Sequence, residues 1–329
     1  MEVSQLALNL GLFVLTCIVL VKCAGWLVKH LTLLSSYFGL NEFSIGFIIM
    51  AVSTSIPELF IGISSALRGN TALALGNVIG SNIADLTLII GVVVLFTRSM
   101  RIRSRIIRKD LVYMIVVLSL PIFLMLWPPT WLGSGTRQAV LGRFEGLVLI
   151  GVFCWYMYLT LKQERSFSRD IQRPHHIEAR KSALIALVLL LVIFVSAHFV
   201  VDFGTKISVM MDISPILIGI FLLGLGTSLP ELSFEMKAAS ERHEEMALGD
   251  LIGSIITNST LVLGATALIA PVTADFFIFF TSAMWMVVVS FIFLTFAESD
   301  GGLNWKEAIS LIMMYVLFVV VESYIKTLQ

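Results

Sequence analysis

Apolar residues run through this chain in long blocks, and polar residues collect in the gaps between them. Apolar runs of about 20 residues are long enough to cross a bilayer as helices. Ten such segments stand out, at 5 to 28, 44 to 67, 72 to 97, 110 to 127, 140 to 161, 182 to 204, 214 to 240, 247 to 270, 273 to 296 and 306 to 326. A spanning β-barrel would need stretches of about ten residues with alternating polarity, and these are absent from the pattern.

The blocks are not independent. Ile45 to Gly91, 47 residues, recurs as Ile218 to Gly264 at a constant offset of 173, without a gap and with 18 identical positions. Many of the matches are polar or special: Thr54, Ser55, Pro57 and Glu58 recur as Thr227, Ser228, Pro230 and Glu231, and Gly76, Gly80 and Ser81 recur as Gly249, Gly253 and Ser254. Each copy fills the second and third spans of a five-helix half, residues 1–161 and 182–329, with the polar connection 162–181 as the seam. Five is an odd number of crossings, so the second half enters the membrane from the opposite face. The expected fold is an all-α membrane protein of ten transmembrane helices in two inverted five-helix repeats, with any shared site near the midplane. The seam is too short for a folded domain of about 50 residues.

Composition agrees. Hydrophobic residues make up 58% and charged residues 13%, with a mean hydropathy of +0.96, whereas about a quarter of a soluble domain is charged. The start Met1-Glu2 lacks the basic opening of a cleaved secretory signal, so the first span is expected to stay. Cys17, Cys23 and Cys154 fall within spans at spacings of neither a disulfide framework nor a zinc site. Net charge is zero, but Arg98, Arg101, Arg103, Arg105, Arg108 and Lys109 crowd the connection after span three. Lys162, Arg165, Arg169, Arg173, Arg180 and Lys181 crowd the one after span five. Basic residues beside spans mark the cytoplasmic side, which puts both termini outside. Beside a span, orientation explains such a run better than nucleic-acid binding. A multi-pass protein of the cell (inner) membrane is expected.

The repeat carries the chemistry. Pro57 cannot donate to the carbonyl of Ser53, nor Pro230 to that of Gly226, so the second and seventh helices are expected to break there. Irregular backbone at membrane depth is tolerated where it faces protein, water or an ion. Glu58 and Glu231 stand mid-span with no Lys or Arg at comparable depth in either repeat, which calls for a bound cation or protons. Asn77, Ser81 and Asp85 share one helix face, as do Asp250, Ser254 and Asn258. Ser55 lies one turn before Glu58, and Ser228 one turn before Glu231. The donor set is hard oxygen, favouring sodium, calcium, magnesium or manganese over zinc or copper. Calcium takes six to eight oxygens in flexible geometry, which two glutamates and freed carbonyls can supply, while magnesium holds its water more tightly.

At these residues the chain resembles the cation/calcium exchanger superfamily, whose best-known branch is the sodium/calcium exchangers. The motif G-T-S-L-P-E stands at Gly226 to Glu231, S-T-S-I-P-E at Ser53 to Glu58, and G-N-V-I-G-S-N at Gly76 to Asn82. The resemblance implies that Glu58 and Glu231 are the central calcium ligands, completed by the backbone carbonyls of Thr54 and Thr227. It implies flanking sodium sites at Ser55, Ser81, Ser228 and Ser254, polar positions facing the glutamates at Asp85 and Asn258, and first and sixth helices that slide as a gate. The partners expected are calcium and sodium ions and the lipid bilayer, with no cofactor, no nucleic acid and no protein-docking signal.

The chain departs from the pattern in places. Ser53 replaces a glycine, Asp250 replaces the asparagine kept at Asn77, Ile255 replaces the polar Asn82, and Glu235 adds a carboxylate where the first copy has Gly62. Asn77, Asp250 and Glu235 are therefore accessory candidates. Burial beside other carboxylates disfavours the charged form, so the extra acids open a proton-coupled alternative for calcium or another divalent ion. From Lys237 through Glu245 the charges read as a wet helix end. His198 reads either as a proton relay or as a residue hydrogen-bonded within the bundle. An intramembrane aspartyl protease on Asp85 and Asp250 would need two carboxylates meeting over a peptide bond and would have no use for two proline-glutamate turns. A channel is the remaining class, separated from an exchanger by stoichiometric counterflow.

Overall fold

The computed structural model describes residues 2–37, 51–102, 105–126, 138–164 and 176–327. Helix α1 runs Glu2–Tyr37, and the second span appears as α2 (Ala51–Thr54) and α3 (Ile56–Leu67). The third is α4 (Thr71–Ala84), a π-turn Asp85–Ile89, and α5 (Ile90–Thr97). Strand β1 (Ser99–Arg101), α6 (Arg105–Leu126), β2 (Gln138–Leu141) and α7 (Arg143–Glu164) complete the first half. The second opens with α8 (His176–Met211), then α9 (Pro215–Ile218), a π-turn Gly219–Leu223, α10 (Gly224–Thr227) and α11 (Leu229–Ser240). It closes with α12 (Glu244–Thr257), a π-turn Asn258–Val262, α13 (Leu263–Ile269), β3 (Val272–Asp275), α14 (Phe276–Glu298), β4 (Gly302–Asn304) and α15 (Trp305–Thr327).

Among the described residues, 9 helical runs are long and apolar enough to cross a membrane, matching nine of the expected spans. The expected span 44–67 is present as α2 and the short apolar α3, and its residues 44–50 lie outside the described residues. Two expectations need adjusting. The seam is helical at both ends, because backbone hydrogen bonding carries α7 and α8 past the apolar stretch that marks a span. The all-α reading omitted four short strands, which pair at the ends of the bundle.

Burial orders the layers. In the most apolar 18-residue stretch of each span, 83% of residues are buried within Thr71–Thr97 and 78% within Glu244–Ile269, against 22% within Gln5–Leu27 and 17% within Arg143–Lys162, so the third and eighth spans form the centre. The third span crosses the α9–α10 segment at backbone contact. A Cβ added at Gly76 would strike the backbone of Ile216, one at Gly80 that of Ile220, and one at Gly224 the backbone of Gly80 and Ser81. Small residues permit such close approach without side-chain loss, which is how helices associate where lipid offers no hydrophobic drive.

The halves exchange partners. Strand β1 pairs antiparallel with β4, Ser99 opposite Asn304, and β2 with β3, Gln138 opposite Asp275. Helix α15 packs on α5, where Gly91 meets the Ala308 carbonyl and Ile312. Helix α7 packs on α13, where Gly264 meets the Gly146 carbonyl and Ile150. Helices α1 and α8 lie along each other, with Phe13, Leu20 and Leu27 packed among Ile193, Val200 and Ile207, and the same apolar cluster takes in Ile61, Leu73, Ile218 and Leu223 of the repeat spans. That pair is tied to α3 and the turn after it by Arg68, which donates to Asp202 at 2.6 Å and meets both ring nitrogens of His198, and by Asn70, which donates to Thr205 at 2.7 Å. His198 is thus hydrogen-bonded to Arg68, but at an exposed position and not inside the bundle.

At the start of α14, the Asp275 carboxylate accepts from the backbone N–H groups of Phe277 (3.0 Å) and Ile278 (3.1 Å), satisfying two donors with no partner inside the helix. Asp275→Ala is expected to cost about 1 kcal/mol. A lowered thermal midpoint in detergent would register it, and an unchanged midpoint would show the cap to be dispensable.

Candidate cation-binding site

Both proline breaks have the same backbone. Ser55 sits at φ −79, ψ 4 and Ser228 at φ −79, ψ 5, each a single residue outside helical geometry with Pro57 or Pro230 in the first turn of the helix that follows. Glu58 and Glu231 therefore occupy the first turns of α3 and α11, where the positive end of the helix dipole favours a carboxylate.

The polar faces of the third and eighth spans reach across to the opposite half. Thr227 donates to Asn77 Oδ1 (3.2 Å) or to the carbonyl of Leu223 (3.0 Å), and its hydroxyl lies 3.2 Å from Ser81 Oγ. Ser81 in turn reaches Glu58 Oε1 and the Gly224 carbonyl, each at 3.3 Å. The counterpart network has Thr54 Oγ1 at 3.0 Å from Ser254 Oγ and donating to Asp250 Oδ1 at 3.4 Å. A hydroxyl has one proton to give, so these sets contain more acceptors than donors. Such an excess of oxygen suits a cation.

Burial is nearly complete. Glu58, Asn77, Ser81, Ser228, Glu235, Asp250, Ser254 and Asn258 are 0% exposed, and Ser55, Asp85 and Glu231 only 1%. Both oxygens of Asp85, Glu231 and Glu235 lack a hydrogen-bond partner, as do Glu58 Oε2, Asp250 Oδ2 and the hydroxyls of Ser55 and Ser228. Glu231 lies in the combined field of Glu58, Asp85 and Asp250. The buried polar residues described include six carboxylates, five of them in the two repeats and the sixth Glu322, and neither Lys nor Arg. An uncompensated buried charge costs several kcal/mol, so positive charge has to come from outside the chain. Among the described residues no three His, Cys, Asp or Glu side chains gather tightly enough to hold a metal ion alone. Hydroxyl, amide and carbonyl oxygens have to complete any coordination shell.

Asp85 and Asn258 each open a π-turn of 5 residues. The extra residue in such a turn re-aims side chains and recurs at functional sites. Two residues on, Thr87 donates to the Ile83 carbonyl and Thr260 to the Ile256 carbonyl, so both copies brace the widened turn alike. Asn258 donates to Asn82 Oδ1 at 3.5 Å, and Asn82 donates to Ser259 Oγ at 3.0 Å. Ser259 is a site neighbour that sequence reasoning passed over. Its signal was present, since it stands where the first copy has the apolar Leu86.

The family described as "Sodium/calcium exchanger protein" matches residues 8–162 and 181–324. The chain belongs to this family. Sodium/calcium exchanger MaX1 of Methanosarcina acetivorans is 28% identical over 98% of this chain and 100% of its own length. Inner membrane protein YrbG of Escherichia coli is 27% identical over 86% of each chain. The solved structure of the sodium-calcium exchanger NCX_Mj soaked with sodium superposes with a TM-score of 0.67 at 23% identity, covering 96% of this chain and 99% of that one, and so shares its fold. This chain is a multi-pass membrane protein of a cation/calcium antiporter family and not of an enzyme family.

Proposed function

We propose that this exchanger moves calcium against sodium across the membrane by alternating access, with Glu58 and Glu231 holding the calcium ion at the centre. The carrying observation is the pair of matched proline-glutamate turns whose carboxylates are buried, with no buried cationic side chain among the described residues to neutralise them. The carbonyls of Thr54 and Thr227 complete the calcium site, and Ser55, Ser81, Ser228 and Ser254, with Asp85 and Asn258, bind the counter-ions that replace it. The architecture proposed is ten spans in two inverted five-helix halves, with both termini extracytoplasmic. The exchanged strand pairs and the matched networks of Thr54 and Thr227 support it. Helices α1 and α8, which pack along each other against the repeat spans, are the sliding elements.

A proton-coupled reading on the same fold is favoured by one observation, the additional buried acids Glu235 and Asp250. Proteoliposomes separate the two. Radiolabelled calcium uptake is expected in sodium-loaded vesicles and not in potassium-loaded, sodium-free vesicles given a pH step. Uptake driven by the pH step alone would transfer the coupling to protons.

A further inference from the structure

The two copies of the repeat depart from one another at one level of the bundle. Helices α11 and α12 form an antiparallel hairpin about the turn 241–243, as α3 and α4 do about 68–70, with Arg242 (φ 66) and Gly69 (φ 71) at the same point of each turn. In the first hairpin Glu58 is level with Ser81, and the two are in contact at 3.3 Å. The same register sets Glu231 level with Ser254. One helical turn nearer the hairpin tip, it sets Gly62 level with Asn77 in the first copy and Glu235 level with Asp250 in the second. Both acidic departures therefore fall on one rung of the second hairpin.

The first copy has no room for a side chain there. A Cβ on Gly62 would run into the side chain of Thr266 on α13. In the second copy the rung holds two carboxylates, each 0% exposed. Neither oxygen of Glu235 has a hydrogen-bond partner, nor does Asp250 Oδ2, while Asp250 Oδ1 accepts from Thr54. Glu235 lies in the field of Asp250 and of Asp85. Two buried acids on one rung, with three carboxylate oxygens lacking any donor, would repel and remain desolvated, an arrangement tolerated only with a positive occupant.

We infer that Glu235 and Asp250 form a second cation site, one helical turn (about 6 Å) from the Glu58–Glu231 centre toward the 241–243 turn, and that it takes a monovalent metal ion. Three open carboxylate oxygens fall short of the six to eight that calcium takes. Beyond the rung, Lys237, Glu241, Arg242 and His243 are exposed, so the site lies between that wet end and the centre. The assignment rests on the proposed central site only for its place along the pathway. Its consequence is an ion count. The chain holds one more monovalent ion than the repeat motif alone provides, and calcium at the centre does not displace it.

Equilibrium binding of radiolabelled sodium to the purified full-length chain, in detergent at one fixed pH, reads this count. Wild type is expected to bind one more sodium per chain than either Glu235→Gln or Asp250→Asn, and saturating calcium is expected to leave that ion bound. Asp250→Asn installs the residue that the first copy carries at Asn77, so it keeps the test alive if Glu235→Gln fails to elute as a folded protein. Equal counts in wild type and a folded variant overturn the site, as they would if the pair held a proton. Glu58→Gln in the same assay isolates the central reading. It is expected to lose calcium binding while keeping the sodium that depends on Glu235; retained calcium binding there would refute the centre and leave the second site to be judged on its own count.

Discussion

Glu231→Gln is expected to abolish calcium transport while leaving a folded protein. Glutamine keeps the size and hydrogen-bonding shape of the side chain and removes its charge. The residue is 1% exposed and neither carboxylate oxygen has a partner in the chain, so the charge contributes nothing to folding that the amide would forfeit. What it loses is ion affinity. Removing one member of a buried charge pair typically costs about 3–5 kcal/mol, which corresponds to a loss of roughly 100-fold or more in calcium binding. Uptake into sodium-loaded proteoliposomes should fall to background. Calcium should raise the thermal midpoint of the wild type and not of the variant, since a ligand stabilises only the state that binds it. Wild-type uptake by Glu231→Gln would remove the carboxylate from the mechanism.

Gly80→Val is expected to prevent folding, for a reason unrelated to ions. A Cβ at position 80 would overlap the backbone of Ile220, and Gly224 approaches Gly80 and Ser81 as closely from the other side. A flexible side chain can move aside, but two crossing backbones cannot without separating the third span from the seventh. Overpacking a core costs about 1–3 kcal/mol where side chains yield, and the cost here lies above that range. Gly11→Ala is the control, because nothing lies within 4 Å of the Cβ it would add. Monodisperse elution and the thermal midpoint in detergent measure both. A Gly80→Val protein as stable as the wild type would mean that the close crossing carries little of the fold.

Most of the spans were legible because hydrophobic length is itself the physical requirement for crossing a bilayer, and the candidate site stands out because proline and glutamate inside an apolar run violate that requirement twice at one spacing. The alignment of the copies identified Thr54 with Thr227 and Ser81 with Ser254. It gave no sign that Thr227 would meet Ser81, and Thr54 meet Ser254, across the halves. Partner exchange belongs to the packing, and no local periodicity encodes it. The π-turns at Asp85 and Asn258 were equally hidden, since one residue of extra winding leaves the apolar pattern almost unchanged. Asn82 was visible as a motif letter, but its contact with Ser259 depends on how deeply the two helices interlock. The strands escaped notice because segments of 3 or 4 residues at the end of a span carry too little pattern to separate them from a turn.

The strand exchange bears on the order in which the molecule is made. Ser99 leaves the third span early in synthesis, and its partner Asn304 emerges just before the final helix. Thr54 meets Asp250 and Ser254 only after most of the chain has been translated. A nascent first half in the bilayer therefore carries an unpaired strand edge and an unfinished cluster of acids until its counterpart arrives. Insertion can proceed helix by helix, but the candidate ion site and the strand pairs at both ends close together, late, in a step governed by contacts distant in sequence.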